Sequence, residues 1–270
     1  MVQIPNEHPI IVRNFRKGDV EELRKLFVLC NTGDGSPFQE ILKSNLKDPI
    51  SLICYSLFAL GQYLLIPALA NLQAGRTRAI LGALLSFAGI ALFILVRKYI
   101  RKAVMGFCEE AFRTDLKDVN EHYGEGNFWV AEEVRHPGSR SHIVGYVGLD
   151  YNSNSKAALE DKTRSTAELR RMGVSPHYRR RGIAGMLLRA LIASAKAKSK
   201  DATLIEPKSG RLEGGCRRIV LSTSDFQQPA IALYRKYGWV AEKIVVSRPL
   251  GVLVAALKIH YLALSLDMET

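Results

Sequence analysis

No acidic residue occurs between Asp48 and Glu109, although the chain of 270 residues carries 26 Asp and Glu. Cysteine is also scarce. Cys30, Cys54, Cys108 and Cys216 are the only four, widely separated and without a C-x-x-C pair. This excludes a disulfide scaffold and gives no support to zinc-ribbon or thioredoxin chemistry, so a reducing compartment is expected. None of the six histidines shows H-x-x-x-H spacing, which leaves a zincin-type metal site without support, and no metal is expected. Pro5, Glu7, His8 and Pro9 interrupt the start of the chain, where a secretory signal needs an unbroken apolar core. Against these absences, 47% of the residues are hydrophobic, which rules out a disordered or collagen-like polymer. Lys and Arg number 38, for a formal net charge of +12. Such an excess calls for a polyanionic partner: nucleic acid, an anionic membrane face or a phosphorylated ligand. No zinc-finger pattern and no RNA-binding aromatic signature favours nucleic acid.

Within the acid-free segment, residues 50–70 and 79–96 carry no charge at all. As helices they would reach about 27 to 31 Å, close to a hydrocarbon core of roughly 30 Å. The short connection at 71–78 contains Gly75, so the pair is expected to form an antiparallel helical hairpin. A buried helical pair in a soluble core is the alternative, mildly favoured by Gln62 and Pro67. A soluble helix needs a polar face at 3.6-residue spacing, however, and neither stretch has charges from which to build one. Lys43 and Lys47 precede the hairpin and Arg97, Lys98, Arg101 and Lys102 come after it, against Arg76 and Arg78 in the turn. By the positive-inside rule both outer ends face the cytosol. Gly82, Ala83, Ser86 and Gly89 supply small residues for close helix approach.

The remainder alternates strand and helix signals. A strand at 10–15 precedes an amphipathic helix at 20–28 with Leu23, Leu26 and Phe27 on its apolar face, capped by Asp19. After the hairpin come a helical approach around 108–116 and strands at 128–133 and 142–149, joined by a turn at His136, Pro137 and Gly138. Next are a polar loop at 152–162, a strand at 167–174, a helix at 182–198 and a strand at 218–222. Residues 199–215, with Pro207, Gly210, Gly214 and Gly215, read as a flexible insertion. A helix at 229–237 leads into strands at 240–247 and 254–264, and 251–257 is too short to span a bilayer.

Chemistry concentrates in ELRRMGVSPHYRRRGIAGMLLRA, residues 168–190. A strand ends at Val174, Pro176 stops it, three arginines come next, and Gly182 opens an amphipathic helix. Successive outward amide N–H groups at a glycine turn, backed by the positive end of a helix, make a preformed anion site suited to a diphosphate. The plain alternative is a strand-to-helix turn with a solvated basic run.

This segment resembles the GCN5-related N-acetyltransferase superfamily, whose acetyl-CoA loop reads Q/R-x-x-G-x-G/A, here Arg179-x-x-Gly182-x-Ala184. Downstream, AIALYRKYGW at 230–239 is similar to the superfamily's A-x-x-L-Y-x-K-x-G-F helix and turn. With the apolar hairpin, RTDLKDVNEHY and then FWVAEE at 113–133, and the ELRRM strand, the chain resembles the membrane-bound camello or N-acetyltransferase 8 family, which includes cysteine S-conjugate and aspartate N-acetyltransferases. The resemblance covers nearly all of the chain except 199–215. It implies an α+β acetyltransferase fold with a central mixed β-sheet flanked by helices. A two-helix membrane hairpin at 49–102 would divide the first β-α part (1–48) from the main domain (103–270).

The resemblance further implies acetyl-CoA as co-substrate. Met172 and Val174 would offer backbone to the pantetheine arm and thioester, and Arg179, Arg180, Arg181, Gly182, Ile183 and Ala184 would hold the pyrophosphate. Gln227 stands where the superfamily often has the Asn that precedes its A-x-x-L-Y helix, a departure at a position that meets the pantetheine arm. Amide formation needs a neutral amine, a polarised carbonyl and a proton for the leaving thiolate. Glu168 is the expected general base, directly or through water, and by alternation shares a face with Arg170 and Met172. Tyr234 matches the tyrosine that protonates the thiolate. Arg170 and Arg171 should point to opposite faces, so that one can grip an acceptor carboxylate. His177 and Tyr178 shape the loop. The expected function is a membrane-anchored N-acetyltransferase for a small amino-acid-type acceptor, in the endoplasmic reticulum with termini and catalytic domain cytosolic. A protein lysine or N-terminal acetyltransferase, or a non-catalytic basic protein binding membrane or nucleic acid, remains open, as does oligomeric state.

Overall fold

The apolar-polar alternation at the start of the chain becomes the edge of a seven-stranded sheet. The computed structural model describes residues 8–70, 72–134, 142–153, 166–202, 216–247 and 257–265. Its strands are β1 (Ile10–Asn14), β2 (Phe128–Glu133), β3 (His142–Asp150), β4 (Thr166–Val174), β5 (Arg218–Ser224), β6 (Val240–Ser247) and β7 (Leu257–Ser265). They are ordered β1-β2-β3-β4-β5-β7-β6. Neighbours β1 to β4 run antiparallel, β4 and β5 are parallel, and β5 and β7 are antiparallel, so the sheet is mixed. The seven helices among the described residues are α1 (Val20–Thr32), α2 (Pro37–Asn45), α3 (Pro49–Ala70), α4 (Leu72–Arg113), α5 (Val119–Tyr123), α6 (Ile183–Ala202) and α7 (Gln228–Lys236).

By its contacts the chain falls into two compact units. One comprises Met1–Ser36, Cys108–Val245 and Lys258–Thr270, the other Pro37–Phe107 and Val246–Leu257. In the first, helices cover both faces of the sheet, which is why β2 and β3 are buried along nearly their whole length and read as continuous apolar runs. One core gathers Leu187, Leu188 and Leu191 of α6 with Leu149, Ile219, Leu221, Leu262, Tyr234 and Trp239. The opposite core gathers Leu23, Leu26 and Phe27 of α1, Cys108 and Ala111 of α4, and Val119, Tyr123, Phe128 and Tyr146. Burying each of these leucines contributes about 1.5–3 kcal/mol.

The second unit contains the apolar hairpin. Segments Pro49–Leu69 and Gly75–Arg113 are long and apolar enough to cross a membrane, and their large side chains point outward, with Tyr63 74% and Phe87 70% exposed. The inward seam is made of small residues. A Cβ on Gly61 would lie 2.7 Å from the carbonyl oxygen of Gly82, and one on Gly82 would lie 2.6 Å from that of Gly61. A Cβ on Gly89 would come within 2.8 Å of the Cys54 carbonyl oxygen. Gln62 donates to Ser86 Oγ at 2.9 Å, and that hydroxyl donates to Gly82 O at 2.9 Å. Gln62 is thereby satisfied inside the hairpin and carries no information about solvent.

Several boundaries differ from the sequence expectation. The connection expected at 71–78 is shorter, because α4 begins at Leu72 and a Cβ on Gly75 would meet Ala68 O at 2.9 Å. Glycine here serves a helix contact, not a turn. The helical approach around 108–116 is continuous with the second apolar helix in α4. Helix α6 extends to Ala202, into the segment read as an insertion. Helices α2 and α5 were not expected. The turn at 136–138, the strand start at 254, the run 251–256 and most of the loops at 152–162 and 199–215 lie outside the described residues.

Strand β4 is bulged. Arg170 opposes Gly148 and Gly173 opposes Tyr146, so Arg171 and Met172 together face Val147, and Arg171 takes a φ of 51°. A Cβ on Gly173 would lie 2.4 Å from the Tyr146 hydroxyl in the packed core. Gly173→Ala should therefore destabilise the full chain by about 1–3 kcal/mol, read as a lower denaturant midpoint.

Candidate active site

The parallel pair β4 and β5 is hydrogen-bonded only through Thr166↔Arg218, Ala167↔Ile219 and Glu168↔Val220. Beyond Glu168, β4 continues to Val174 and β5 to Ser224 without pairing to each other, which opens a seam in the middle of the sheet. Backbone N–H and C=O groups along this seam have no β-partner across it and are available to a polar chain lying between the strands.

Glu168 sits at the vertex of the seam, buried, and its carboxylate accepts a hydrogen bond from Ser153. Directly paired residues of adjacent strands share a face, so Glu168 and its β3 partner Asp150 lie on one side, with Arg170 two residues along. The Arg170 guanidinium reaches Asp150 Oδ2 at 3.3 Å and its side chain stays 32% exposed. His122 of α5 approaches the same oxygen at 3.3 Å. Burial would raise the Asp150 carboxyl, but His122, the Asn152 amide and Arg170 together hold it below the usual carboxylate range.

The bulge resets which face each later residue of β4 presents. Period two puts Arg171 on the face opposite Arg170, but its left-handed backbone turns the side chain into a bidentate pair with Asp115, at 2.6 and 2.7 Å. Tyr123, next to His122, donates to the same carboxylate at 2.7 Å, and the guanidinium lies 5.3 Å from the centre of the Phe27 ring. Asp150 and Asp115, the partners of Arg170 and Arg171, are both contacted from α5, by His122 and Tyr123, so the two arginines share a face, and Arg171 is committed to a buried ion pair. Met172, expected beside Glu168, falls across the bulge and packs with Val174 against the core of α6 and α7.

Tyr234 of α7 belongs to that second face. It is buried, its ring lies 5.8 Å from Trp239, and among the described residues its hydroxyl reaches only the thioether of Met172, at 3.6 Å. Burial pushes the phenol up, so it stays protonated at neutral pH and keeps its proton until a strongly basic group such as a thiolate forms beside it. Gln227, at the start of α7, accepts from Thr223 Oγ1 at 2.9 Å. His260, cross-strand from Thr223, has neither ring nitrogen hydrogen-bonded, an extra polar group on this face.

The basic loop folds as an anion cradle. A 3-10 turn at Pro176–Tyr178 leads to left-handed φ values at Arg180 (67°) and Gly182 (79°), then to the first turn of α6. Gly182 is exposed, with nothing within 4 Å of a Cβ built on it. The first amides of α6, including Ile183 and Ala184, have no intrahelical acceptor. Arg179 is not directed at this cradle: its guanidinium donates to the carbonyl oxygens of Asp34 (2.9 Å) and Gly35 (3.1 Å), bracing the loop. Arg181 stacks 5.1 Å from the Tyr178 ring centre, and Arg180 is exposed.

The structure thus places Glu168 and Arg170 on one side of the seam, Met172, Val174, Gln227 and Tyr234 on the other, and 179–184 as the cradle. Sequence reasoning missed Asp115, His122, Tyr123 and Asp150. Three of these lie in RTDLKDVNEHY, which carried the family resemblance without a residue role; Asp150 has no local signal, because only register pairs it with Glu168.

Residues 124–241 match the family profile described as Acetyltransferase (GNAT) domain. The chain carries a GNAT acetyltransferase domain. Over 242 residues it is 24% identical to the N-acetylaspartate synthetase of Danio rerio, covering 88% of this chain and 69% of that protein. It is 29% identical over 154 residues to N-acetyltransferase 8F1 of Rattus norvegicus, covering 55% of this chain and 56% of that protein. The chain thus matches little more than half the length of the rat relative. An N-acetyltransferase structure from Staphylococcus aureus Mu50 aligns over 96% of this chain and 99% of its own, with a TM-score of 0.46 and 14% identity.

Burial alone would raise the Asp115 carboxyl, but the bonds and charge of Arg171, with the Tyr123 hydroxyl, hold it well below the usual carboxylate range. A depressed folded value stabilises the fold above the unfolded carboxyl pKa of about 4, and this contribution is lost as pH falls toward the folded value. Asp115→Asn should cost about 3–5 kcal/mol at neutral pH by leaving Arg171 buried and unpaired. It should also flatten the acid limb of a stability-against-pH curve, measured by denaturant titration.

Proposed function

We propose that this chain is an acetyl-CoA-dependent N-acetyltransferase acting on the α-amine of a small amino-acid-type acceptor, of the aspartate or cysteine S-conjugate kind, by direct transfer. The observation that carries this is the open seam at Glu168, with Arg170 two residues further along the same face. An α-amino acid presents an amine and a carboxylate one carbon apart. Glu168 and Arg170 offer a base and a cation at adjacent same-face positions of one strand, about 7 Å apart along it. The name of the Danio rerio relative, N-acetylaspartate synthetase, supports the same acceptor class.

Each step has a residue for it. The amides of 179–184 and the charges of Arg180 and Arg181 hold the diphosphate of the co-substrate, and Gly182 leaves room for close approach. Backbone of Met172 and Val174 pairs with the pantetheine arm along the seam, with Gln227 beside it. Arg170 exchanges its long contact with Asp150 for the acceptor carboxylate, while Arg171, tied to Asp115, fixes the bulge. Glu168 takes a proton from the acceptor nitrogen, directly or through water, as that nitrogen bonds to the thioester carbonyl carbon. The C–S bond then breaks with its electron pair on sulfur, and Tyr234 gives its proton to the thiolate from the opposite face. The products are an N-acetyl amide and free CoA thiol, and solvent restores Tyr234 and Glu168.

The hairpin at 49–102 is proposed to anchor this domain in the endoplasmic reticulum membrane, with termini and active site cytosolic. Supporting it are the exposed Tyr63, Ile66, Phe87 and Leu95 and the excess of cations at the outer ends. A glycosylation acceptor fused after Thr270 should stay unmodified in microsomes; its modification would overturn the orientation.

Purified full chain assayed with acetyl-CoA should acetylate free amino acids or S-substituted cysteines, whereas activity on peptides alone would establish a protein acetyltransferase instead. Glu168→Gln should lower kcat about 10²- to 10⁴-fold. Arg170→Gln should raise the acceptor KM by about 10- to 100-fold, leaving the acetyl-CoA KM unchanged. An amidated acceptor should show the same KM for native enzyme and the Arg170 variant.

A further inference from the structure

Four cations lie at the end of the apolar part of α4: Arg97, Lys98, Arg101 and Lys102. At 100° per residue they fall within about 140° of the helix circumference, one face of a single turn and a half. Ile100, on the opposite side, is fully buried. Lys98, Arg101 and Lys102 are exposed and Arg97 is half-buried. Arg97 with Arg101, and Lys98 with Lys102, are like-charge pairs at i,i+4, each disfavouring the helix by a few tenths of a kcal/mol.

Among the described residues nothing neutralises this face. None of the four makes an ion pair among the described residues, and no acid occurs in the preceding turns of α4. Arg97 lies over the Phe93 ring at 4.8 Å, yet its Nη1 is buried without a hydrogen-bond partner. Phe93 in turn contacts Tyr55 near the start of α3, whose hydroxyl donates to Leu46 O at 3.3 Å. Tyr55, Phe93 and Arg97 form an aromatic and cationic layer where the uncharged stretches of both helices end, the composition of a membrane-water interface. The next residues outward are the remaining three cations.

Resting on the membrane anchoring proposed for the hairpin, we infer that Arg97, Lys98, Arg101 and Lys102 form a binding face for the headgroups of anionic phospholipids, with the phosphodiester meeting the exposed Lys98, Arg101 and Lys102 and Arg97 adding its charge from beneath. The charge is complementary, the depth is that of the headgroups, and the face is rigid because it lies inside a continuous helix. Each cation held near an anionic surface adds about fivefold to lipid association.

The test uses the full chain reconstituted in phosphatidylcholine vesicles with a trace of spin-labelled phosphatidylglycerol or spin-labelled phosphatidylcholine. The native protein should immobilise both labels, the anionic one with at least about fivefold higher relative association, and added salt should shrink the difference. R97Q/K98Q/R101Q/K102Q should bring the ratio near one, whereas the charge-conserving R97K/R101K should retain most of the preference. Equal association of both labels with the native protein would overturn the lipid site while leaving the anchor intact. Absence of any immobilised lipid would overturn the anchor itself.

Discussion

The parting of β4 from β5 after Glu168 is the constraint on which the rest of the site depends. Two parallel strands that stay paired present no backbone to a ligand, and their side chains meet a closed surface on each face. Three paired positions hold these strands in register, and everything beyond them is open. The opening lets one ligand meet both faces of the sheet. Glu168 lies on one side of this opening, and Tyr234 belongs to the core on the other. The turn at the start of α6 comes soon after the end of β4, so the loop proposed for a diphosphate and the seam are joined by covalent geometry.

Keeping such a seam open requires that β4 be rigid without β5. The bulge and its ion pair accomplish this. A left-handed arginine is unfavourable by about 1–2 kcal/mol, and it persists because Arg171 is held at both nitrogens by Asp115, which Tyr123 also contacts. Gly173 next to it leaves space for the Tyr146 hydroxyl, locking β4 onto β3. Asp115 comes from the segment between α4 and α5, so the same turns that pack into the core against α1 also support β4 through this carboxylate. Arg170, outside this lock, is left with a long contact to a carboxylate that it shares with His122.

Much of this was legible in the sequence, and the exceptions have physical causes. Strands β2 to β5 and helix α6 arise from apolar runs bounded by Gly and Pro, and the cradle from Arg179-x-x-Gly182-x-Ala184. The sharing of faces along β4 was not legible, since period two holds only in an unbulged strand and no residue type announces an arginine at positive φ. Helix α2 was hidden because residues 33–37, with Gly33, Gly35 and Pro37, look like a linker, and α5 because five residues leave no periodicity to detect. Gly75 illustrates the converse: glycine in a presumed turn proved to be a contact between helices, and only the antiparallel packing of α3 on α4 distinguishes the two uses.

The uneven distribution of charge reflects the same division of labour. The buried or half-buried acids Asp19, Glu132, Asp115 and Asp150 in the first unit have specific cationic partners, Arg13 for the first two, Arg171 and Arg170 for the others. The acid-free segment offers its cations no such partners. Charges that a fold uses for itself come in pairs, because an unpaired buried charge is too costly to keep. Charges left single among the described residues, at 97–102 and at Arg180, are the ones for which the proposed headgroup and diphosphate would serve as external counter-ions.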